Sequence, residues 1–240
     1  LENIILKKQV DAETREDLNV MKQNTERLLN LTNQLLDFRK TESQGFRLNF
    51  AKCNITEVLK ETHVRFTSLA KQKGLDFTLQ VPEKDFYAHV NQEAFTKIIS
   101  NLLNNGMKYA ESYVHVMLEA PQRDDNNLFR IRTVNDGVII PDAMKEEIFK
   151  PFVRFNEQED GKVTTGTGIG LALSRSLAEF HLGTLVMEAG EESNIFCLTL
   201  PVVQDTTITL TPEAEVEIER VNEIPAEQAG KKDNRPAVLV

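Results

Sequence analysis

The sequence is short of cysteine, of basic residues and of long apolar runs. Its two cysteines, Cys53 and Cys197, lie far apart without CxxC spacing, a pattern typical of buried free thiols in a reducing compartment rather than of a disulfide or zinc site. Lys and Arg number 28 against 37 Asp and Glu, and the formal charge of -9 without a local basic patch disfavours nucleic acid as a direct partner. No run approaches about 18 apolar residues, and no signal-peptide pattern opens the chain, so no membrane contact is expected within these residues.

The composition is nevertheless sufficient for an ordinary globular core. With 240 residues, 40% of them hydrophobic, the chain suits one medium domain with accessory segments or two small domains. It begins at Leu1 rather than at Met, which suggests a fragment of a longer protein.

A helix predicted over 93–110 is the element around which the rest of the chain is organised. Its apolar side is formed by Phe95, Ile98, Ile99 and Leu102, and its polar side by Lys97, Asn101, Asn104, Asn105 and Lys108. By itself such a polar stripe is typical of a solvated helix. Two further motifs, an Asn-Asp-Gly turn at 135–137 and a Thr-Gly-Thr-Gly-Ile-Gly segment at 165–170 that opens another helix, together indicate a nucleotide site.

The polar stripe carries groups that suit a phosphate-bound magnesium ion. Asn101 and Asn105 are four residues apart, so their amides lie one above the other on the helix. An Asn carbonyl is a hard oxygen ligand that Mg²⁺ accepts beside water and phosphate oxygens. Lys108 brings positive charge for phosphates, and Tyr109 offers a flat face for a base. The alternative is an incidental Asn-rich patch on a solvated helix.

The glycine segment at 165–170 suits phosphates as well. Glycine lets backbone N-H groups approach a phosphate, and the amino terminus of the following helix adds favourable partial charge. The preceding loop, at about 156–165, carries Lys162 and follows Arg154, which predicts a lid that closes over a nucleotide.

The turn at 135–137 is predicted to hold the base. The side chain of Asn135 or that of Asp136 can accept a hydrogen bond from the exocyclic amine of adenine, and Gly137 allows a close approach. An isolated turn of this sequence is also typical of an ordinary Asx turn.

Hydrophobic patterns along the chain predict a mixture of helices and strands. Helices are predicted at 11–42, 55–73, 93–110, from Pro141 to Phe149 and at 169–181, and strands at 46–51, 75–81, 85–90, 113–119, 128–134, 184–189 and 195–200. Because most of the strands are joined as hairpins, the fold class expected is an α/β (α+β) two-layer sandwich with one helical layer on a mixed sheet.

The long first helix has a separate apolar seam. Met21, Leu28 and Leu35 recur every seven residues, which is typical of a two- to four-helix bundle. We expect this helix to belong to a hairpin that completes a bundle with a second copy of the chain. The alternative is a single long helix packed on its own domain.

Four segments, in order along the chain, resemble a known family. NLLNNGMKYA, VNDGVIIP, IFKPFVRF and GTGIGLALSRSLAEFHLG resemble the N, G1, F and G2 boxes of sensor histidine kinases, which have the GHKL (Bergerat) ATP-binding fold. The resemblance implies ATP and Mg²⁺ as cofactors, with Asn101, Asn105 and Lys108 as catalytic residues and Asn105 as the metal ligand. It implies a nucleotide contact set of Tyr109, Asn135, Asp136, Gly137, Phe149, Phe152, Arg154, Lys162, Thr165, Gly166, Thr167, Gly168, Gly170 and Leu171, in which Phe149 and Phe152 support the lid.

Three positions depart from the family pattern. Asn135 stands in the place of the usual G1 aspartate and Ile139 in the place of the second G1 glycine, so Asn135 and Asp136 both remain candidates for the adenine contact. Leu182 replaces a common glycine after the G2 helix. Asn101 stands where related hydrolytic ATPases carry a glutamate base, which implies phosphoryl transfer to a protein group rather than to water.

Both ends of the chain resemble parts of neighbouring domains. ERLLNLTNQLLDFRKTES resembles the second helix of the dimerisation and phosphotransfer hairpin, and RPAVLV the opening strand of a receiver domain. The implied organisation is a partial hairpin at 1–44, an ATP-binding catalytic domain at 45–203, an acidic linker at 204–235 and the start of a receiver domain at 236–240. The His-Glu-x-x-Thr-Pro segment that normally carries the phosphoacceptor is missing, so the fragment is expected not to phosphorylate itself.

The function implied is that of the catalytic region of a hybrid sensor histidine kinase. Such an enzyme transfers the γ-phosphoryl of Mg-ATP to a histidine on a dimerisation helix, for relay to a receiver aspartate. The implied partners are a second copy through the amino-terminal helices and a receiver domain or response regulator, in the cytoplasmic portion of an inner-membrane sensor. The altered G1 loop keeps open the alternative of a degenerate GHKL scaffold or response-regulator phosphatase module without kinase activity.

Overall fold

The computed structural model describes residues 12–42, 48–121, 127–155, 166–188, 190 and 192–204. The helices are α1 (Ala12–Glu42), α2 (Ile55–Lys73), α3 (Gln92–Tyr109) and α4 (Gly170–Phe180), with two short 3-10 helices at Asp142–Met144 and Glu147–Phe149. The strands are β1 (Ala51–Asn54), β2 (Asp76–Gln80), β3 (Tyr87–Val90), β4 (Tyr113–Glu119), β5 (Leu128–Asn135), β6 (Thr184–Glu188) and β7 (Asn194–Pro201). Most of the predicted bounds are confirmed to within one or two residues.

The chain divides into two units, 1–208 and 209–240, and the second lies wholly outside the described residues. The predicted linker beyond its first residue, Gln204, and the predicted start of a receiver domain therefore fall outside the described part of the chain. None of the described helices is both long and apolar enough to cross a membrane.

Five strands form a mixed sheet in the order β2-β4-β5-β7-β6. Strand β2 runs parallel to β4, and every other neighbouring pair in this sheet is antiparallel. Side chains along β5 alternate between buried and half-buried positions, so one face of the sheet carries the core and the other meets solvent. The predicted two-layer α+β sandwich is confirmed.

The helices cover the core face of this sheet because each has one apolar side. Among the buried side chains of α3, Phe95, Ile98 and Leu102 are fully inaccessible and lie in one cluster with Val114 of β4 and Ile131 of β5. The polar side of α3 is thereby turned away from the sheet.

The predicted strand at 46–51 is wrong over 48–50, and its first two residues lie outside the described part of the chain. Residues 48–50 have no regular structure, and β1 begins at Ala51 and pairs antiparallel with β3 as a separate two-stranded sheet. Phe50 is buried without strand pairing, beside the ring of His181. Strand β1 ends where the Asn54 side chain accepts a hydrogen bond from the Glu57 N-H and caps α2.

Helix α1 meets the domain through its last turns and leaves its seam uncovered. Phe38 packs against the core cluster, and Asp37 forms an ion pair with Lys97 of α3 at 3.0 Å. Met21 and Leu28 are 56% and 65% exposed, so none of the described residues covers this part of the seven-residue repeat. Within the described part of the chain, the helix thus packs on its own domain and also presents an exposed apolar stripe.

Both cysteines are buried and free, as predicted. Burial raises the pKa of each thiol above its ordinary value, so Cys53 and Cys197 remain protonated at neutral pH.

Candidate functional site

A cavity of about 500 Å³ opens between α3, the start of α4 and the turn after β5. Its wall is formed by Gln34, Asn101, Asn104, Asn105, Lys108, Tyr109, Asn135, Val138, Ile140, Ile148, Val153, Arg154, Phe155, Gly166, Thr167, Gly168, Gly170, Leu171, Asn194 and Phe196. The chain carries a formal charge of -9, yet the described wall contains two cationic side chains and no carboxylate. A cavity of this charge suits an anionic ligand.

The polar stripe of α3 faces this cavity. The Asn101 amide donates to the Gly170 carbonyl at 3.3 Å and to the Ser174 hydroxyl at 3.2 Å, which ties α3 to the start of α4. One turn further, Asn105 also lines the cavity, and no hydrogen bond joins its amide to another residue that the structure describes. Asn105 therefore presents an uncommitted carbonyl oxygen and N-H donor to whatever occupies the cavity.

Lys108 and Tyr109 lie together at the end of α3. The Lys108 ammonium donates to the Tyr109 hydroxyl at 2.7 Å and lies 4.4 Å from the centre of its ring. A Cβ on Gly166 would come within 2.8 Å of this ammonium group, so the absence of a side chain at 166 lets the cation reach the glycine segment. Arg154 reaches the same segment by donating to the Gly166 carbonyl.

The start of α4 is built to receive an anion. Its N-cap, Ile169, has no side chain able to accept from the first-turn N-H groups. Those donors and the positive end of the helix dipole lie beside Gly170 and Leu171, both of which line the cavity. The helix has 11 residues, enough for several aligned turns behind the site.

Only glycine fits at position 168, because of the backbone conformation there and the closeness of Phe152. Its φ is +68°, and a Cβ there would lie 2.8 Å from the backbone of Phe152. The Phe152 N-H donates to the Gly168 carbonyl at 2.8 Å, and Phe152 itself has a φ of 67° and a side chain that is 66% exposed. The F-box and G2-box segments are thus held together through the backbone, and the Phe152 ring is not part of the cavity wall.

On the other side of the cavity, Asn135 is 3% exposed and belongs to the wall. Its side-chain oxygen accepts from the Gly137 N-H at 3.2 Å. Asn194 of β7 holds the same turn, donating to the Val138 carbonyl at 3.0 Å and accepting from the Ile140 N-H at 3.0 Å. Gly137 does not line the cavity; a Cβ on it would lie 2.0 Å from the Tyr109 carbonyl oxygen, so it allows the turn to pack against α3.

Asp136 points away from the cavity and does not belong to its wall. Its carboxylate accepts from the N-H groups of Glu111, Ser112 and Tyr113 and from the Ser112 hydroxyl. Burial acts to raise the pKa of Asp136, but these hydrogen bonds outweigh it and hold the pKa well below its usual range. Of the two candidates for the adenine contact, Asn135 lines the cavity, whereas Asp136 binds the loop after α3.

Phe149 lies behind the cavity wall rather than in it. It is 4% exposed, packs edge-on against Phe196 with ring centres 6.4 Å apart, and has the Arg175 guanidinium 3.9 Å above its ring. Phe149 therefore supports Phe196, which does line the cavity. The lid predicted over 156–165, with Lys162 and Thr165, falls outside the described residues.

Asn194 and Gln34 line the cavity but were not predicted as site residues. Asn194 gave a weak signal, as a polar residue directly before the strand predicted from 195. No sequence pattern marked Gln34 as a site residue. Its place at the site depends on a hydrogen bond to Thr167, which lies 133 positions away in the chain.

His181, at the end of α4, has a structural role. It is fully buried; its Nδ1-H donates to the Leu177 carbonyl at 2.6 Å and its Nε2 accepts from the Asn91 N-H at 3.1 Å. Burial lowers the pKa of His181 and outweighs the effect of its two backbone hydrogen bonds. With both ring nitrogens engaged, His181 joins the end of α4 to the start of α3 and offers no free nucleophile.

Comparisons with known proteins agree with this geometry. The family model described as histidine kinase-, DNA gyrase B-, and HSP90-like ATPase matches residues 90–215, just over half of the chain. Sensor histidine kinase WalK of Bacillus subtilis is 26% identical over 189 residues, which is 78% of this chain and 31% of that protein. Hybrid signal transduction histidine kinase D of Dictyostelium discoideum is 31% identical over 184 residues, 74% of this chain and 12% of that protein.

Solved structures show the same fold. Full-length ShkA in complex with AMPPNP has a TM-score of 0.69 at 20% identity, over 85% of this chain and 42% of that one. Histidine kinase ThkA in complex with response regulator protein TrrA has a TM-score of 0.63 at 21% identity, over 83% of this chain and 55% of that one. The chain thus spans under a third of the length of the curated relatives named above.

The family match begins just before α3 and includes the Asn stripe, the turn after β5 and the glycine-started helix that surround the cavity. From these features together, the chain belongs to the histidine kinase-, DNA gyrase B- and HSP90-like ATPase family, whose ATP-binding domain it contains.

Proposed function

We propose that the cavity binds Mg-ATP and that the chain is the catalytic region of a hybrid sensor histidine kinase. The single observation that carries this proposal is the charge of the site. In a strongly acidic chain, the described wall has Lys108, Arg154 and a helix amino terminus, and no carboxylate. Phosphates are the ligand groups that such a wall stabilises best.

The base is assigned to the side of the cavity that contains Asn135. Apolar groups of Ile140, Leu171 and Phe196 line the cavity, and they can enclose an aromatic ring. The buried Asn135 oxygen already accepts from the Gly137 N-H at 3.2 Å and from the Asn194 amide at 3.5 Å, and we assign it the exocyclic amine of adenine in exchange for the longer of these bonds. Because an amide accepts less strongly than a carboxylate, we expect adenine to be held less tightly than by the aspartate usual at this position.

The residues of α3 fit a magnesium ion bound to the phosphates. The Asn105 carbonyl is a hard oxygen, and its amide has no hydrogen-bond partner among the residues described. Asn105 would hold the ion together with phosphate oxygens, and when bound the ion neutralises charge on the β- and γ-phosphates. Lys108 and the first N-H groups of α4 stabilise the remaining negative charge.

The site is better suited to transfer to a protein group than to hydrolysis. Asn101 occupies the place where a hydrolytic relative would carry a base, and its amide is committed to Gly170 and Ser174. An amide does not accept a proton from water at neutral pH, so this position cannot activate a water nucleophile. Phosphoryl transfer then depends on delivering an acceptor in line with the γ-phosphate.

The acceptor and partners are assigned from α1. Its exposed Met21, Leu28 and Leu35 suit a helical bundle with a second copy of the chain, in which a histidine-bearing helix approaches the cavity. The relatives named hybrid and sensor kinases, and the ThkA structure with a response regulator, support relay to a receiver aspartate. The chain would then be the cytoplasmic portion of an inner-membrane sensor.

The test is phosphorylation of the chain extended upstream by a hairpin segment that contains His-Glu-x-x-Thr-Pro. With γ-labelled ATP and Mg²⁺, the extended chain should acquire an acid-labile, base-stable phosphate, and the same chain carrying Asn105→Ala should not. If the extended chain bound ADP but acquired no label, the module would be a nucleotide-binding scaffold and the kinase assignment would be wrong.

A further inference from the structure

One residue of α1, a helix that precedes the predicted catalytic domain, lines the cavity. Gln34 lies three and four residues before Asp37 and Phe38, the residues that dock α1 on the domain, and so shares their helix face. It lines the cavity alongside Asn101 and Gly168. The nucleotide site is therefore completed by the helix that carries the dimerisation seam.

The contact that Gln34 makes is with the glycine segment. The Thr167 hydroxyl, between Gly166 and Gly168, donates to the Gln34 side-chain oxygen at 2.9 Å. The same hydroxyl accepts from the Ile169 N-H at 3.1 Å, at the start of α4. Two hydrogen bonds in series thus connect α1 to the backbone that faces the phosphates.

This connection is the side-chain restraint on a segment whose Gly166 and Gly168 carbonyls also accept from Arg154 and from the Phe152 N-H. Glycines on both sides of Thr167 leave the backbone free to adopt many conformations, which opposes ordering of the segment. Thr167 is the position between them with a side chain, and the proton of its hydroxyl is committed to Gln34. Loss of this bond would leave the Thr167 side chain unrestrained and loosen the segment between the two carbonyl contacts, at the point where phosphates must be received.

We infer that Gln34 is a positioning residue for the nucleotide: it holds Thr167 and the glycine segment in the arrangement that binds phosphates, so that nucleotide binding and docking of α1 are coupled. The inference rests on the proposed nucleotide-binding function. Because such coupling is reciprocal, bound nucleotide must strengthen the docking of α1 by the same factor.

The first experiment measures the dissociation constant of ADP with Mg²⁺ by calorimetry for the whole chain and its variants. Gln34→Ala should weaken binding about threefold to tenfold, the effect of losing one hydrogen bond. Asn33→Ala, which removes the neighbouring exposed amide from the same helix, is the matched control and should bind as the unmodified chain does. In a Thr167→Ala background, Gln34→Ala should have no further effect, because the bond is already absent.

The second experiment measures backbone hydrogen exchange across 31–42 with and without ADP. The unmodified chain should gain protection there on binding nucleotide, and Gln34→Ala should lose most of that gain. Equal affinity of Gln34→Ala and Asn33→Ala for ADP would overturn the inference while leaving nucleotide binding intact. Tighter binding of ADP by Gln34→Ala would also overturn it, because docking of α1 would then compete with the nucleotide. Absence of ADP binding by the unmodified chain would overturn the proposed function as well.

Discussion

Replacing Asp136 by alanine should destabilise the fold and leave nucleotide binding in place. The carboxylate accepts three backbone N-H groups, from Glu111, Ser112 and Tyr113, and the Ser112 hydroxyl. A hydrogen bond to a charged group contributes about 1.5–3 kcal/mol, but at this partly exposed loop the released donors regain water, so the net loss is about 2–3 kcal/mol rather than the sum. For a domain of this size, that lowers the unfolding midpoint by about 5–10 °C.

The pH dependence of the Asp136 effect has a definite sign. Since the folded-state pKa of Asp136 lies below its unfolded value, its contribution is complete above the ordinary carboxyl pKa of about 3.9 and is lost as the pH falls below it. The difference in stability between the unmodified chain and Asp136→Ala should therefore be constant from about pH 5 to pH 8 and should shrink below about pH 4.

The assay is thermal unfolding of both proteins across this pH range, with ADP titrations at pH 7. Asp142→Ala is the matched control, because Asp142 is 93% exposed and pairs only with nearby Lys145 among the ion pairs of the described chain, at 2.6 Å. The control should leave stability almost unchanged, because an exposed ion pair contributes little. Unchanged stability of Asp136→Ala together with lost ADP binding would show that Asp136, and not Asn135, holds the base.

Three further substitutions test separate parts of the account. Asn105→Ala should remove the Mg²⁺-dependent part of ADP affinity and leave the unfolding midpoint within about 1 °C, since the side chain faces the cavity; a large fall in midpoint with binding retained would make Asn105 structural. His181→Gln should reduce the loss of stability between pH 7 and pH 5. Burial holds the pKa of His181 below its unfolded value, so the stability that the neutral ring contributes is lost as the pH falls through that range. Thermal unfolding at each pH measures this loss, and an equal loss in the variant and the unmodified chain would contradict the prediction. Leu182→Gly should raise stability by about 0.5–1 kcal/mol in urea unfolding, because Leu182 has a φ of 54°, a left-handed conformation that glycine adopts without strain, and its side chain is 59% exposed. Leu182→Ala keeps the Cβ and should not raise stability.

Local patterns in the sequence predicted the elements well where one side of an element is apolar. The predicted bounds of α2 and β4 are identical to those of the structure, because Asn54 and Gly74 cap the helix and strict alternation marks the strand. The error at 48–50 has the opposite cause: Phe50 is buried by a distant residue, His181, and not by strand pairing of its own segment.

The segments that form the site could each be recognised in the sequence, but the contacts between these segments could not be predicted. The choice between Asn135 and Asp136 depends on which of two adjacent side chains meets the loop after α3, and that is decided by the register of β4 and β5, in which Val114 pairs with Asn135. Gln34 depends on how α1 docks, which no pattern within α1 encodes. These contacts are tertiary, so a single sequence does not specify them.

The most direct test of the central claim is calorimetric titration of the unmodified chain with ADP in the presence of Mg²⁺. The account predicts one nucleotide per chain, with affinity that falls sharply when Mg²⁺ is chelated and with added hydrogen-exchange protection at α3 and at the start of α4. No detectable binding at millimolar ADP, or binding that protects other parts of the chain, would contradict the assignment of this cavity as an ATP site.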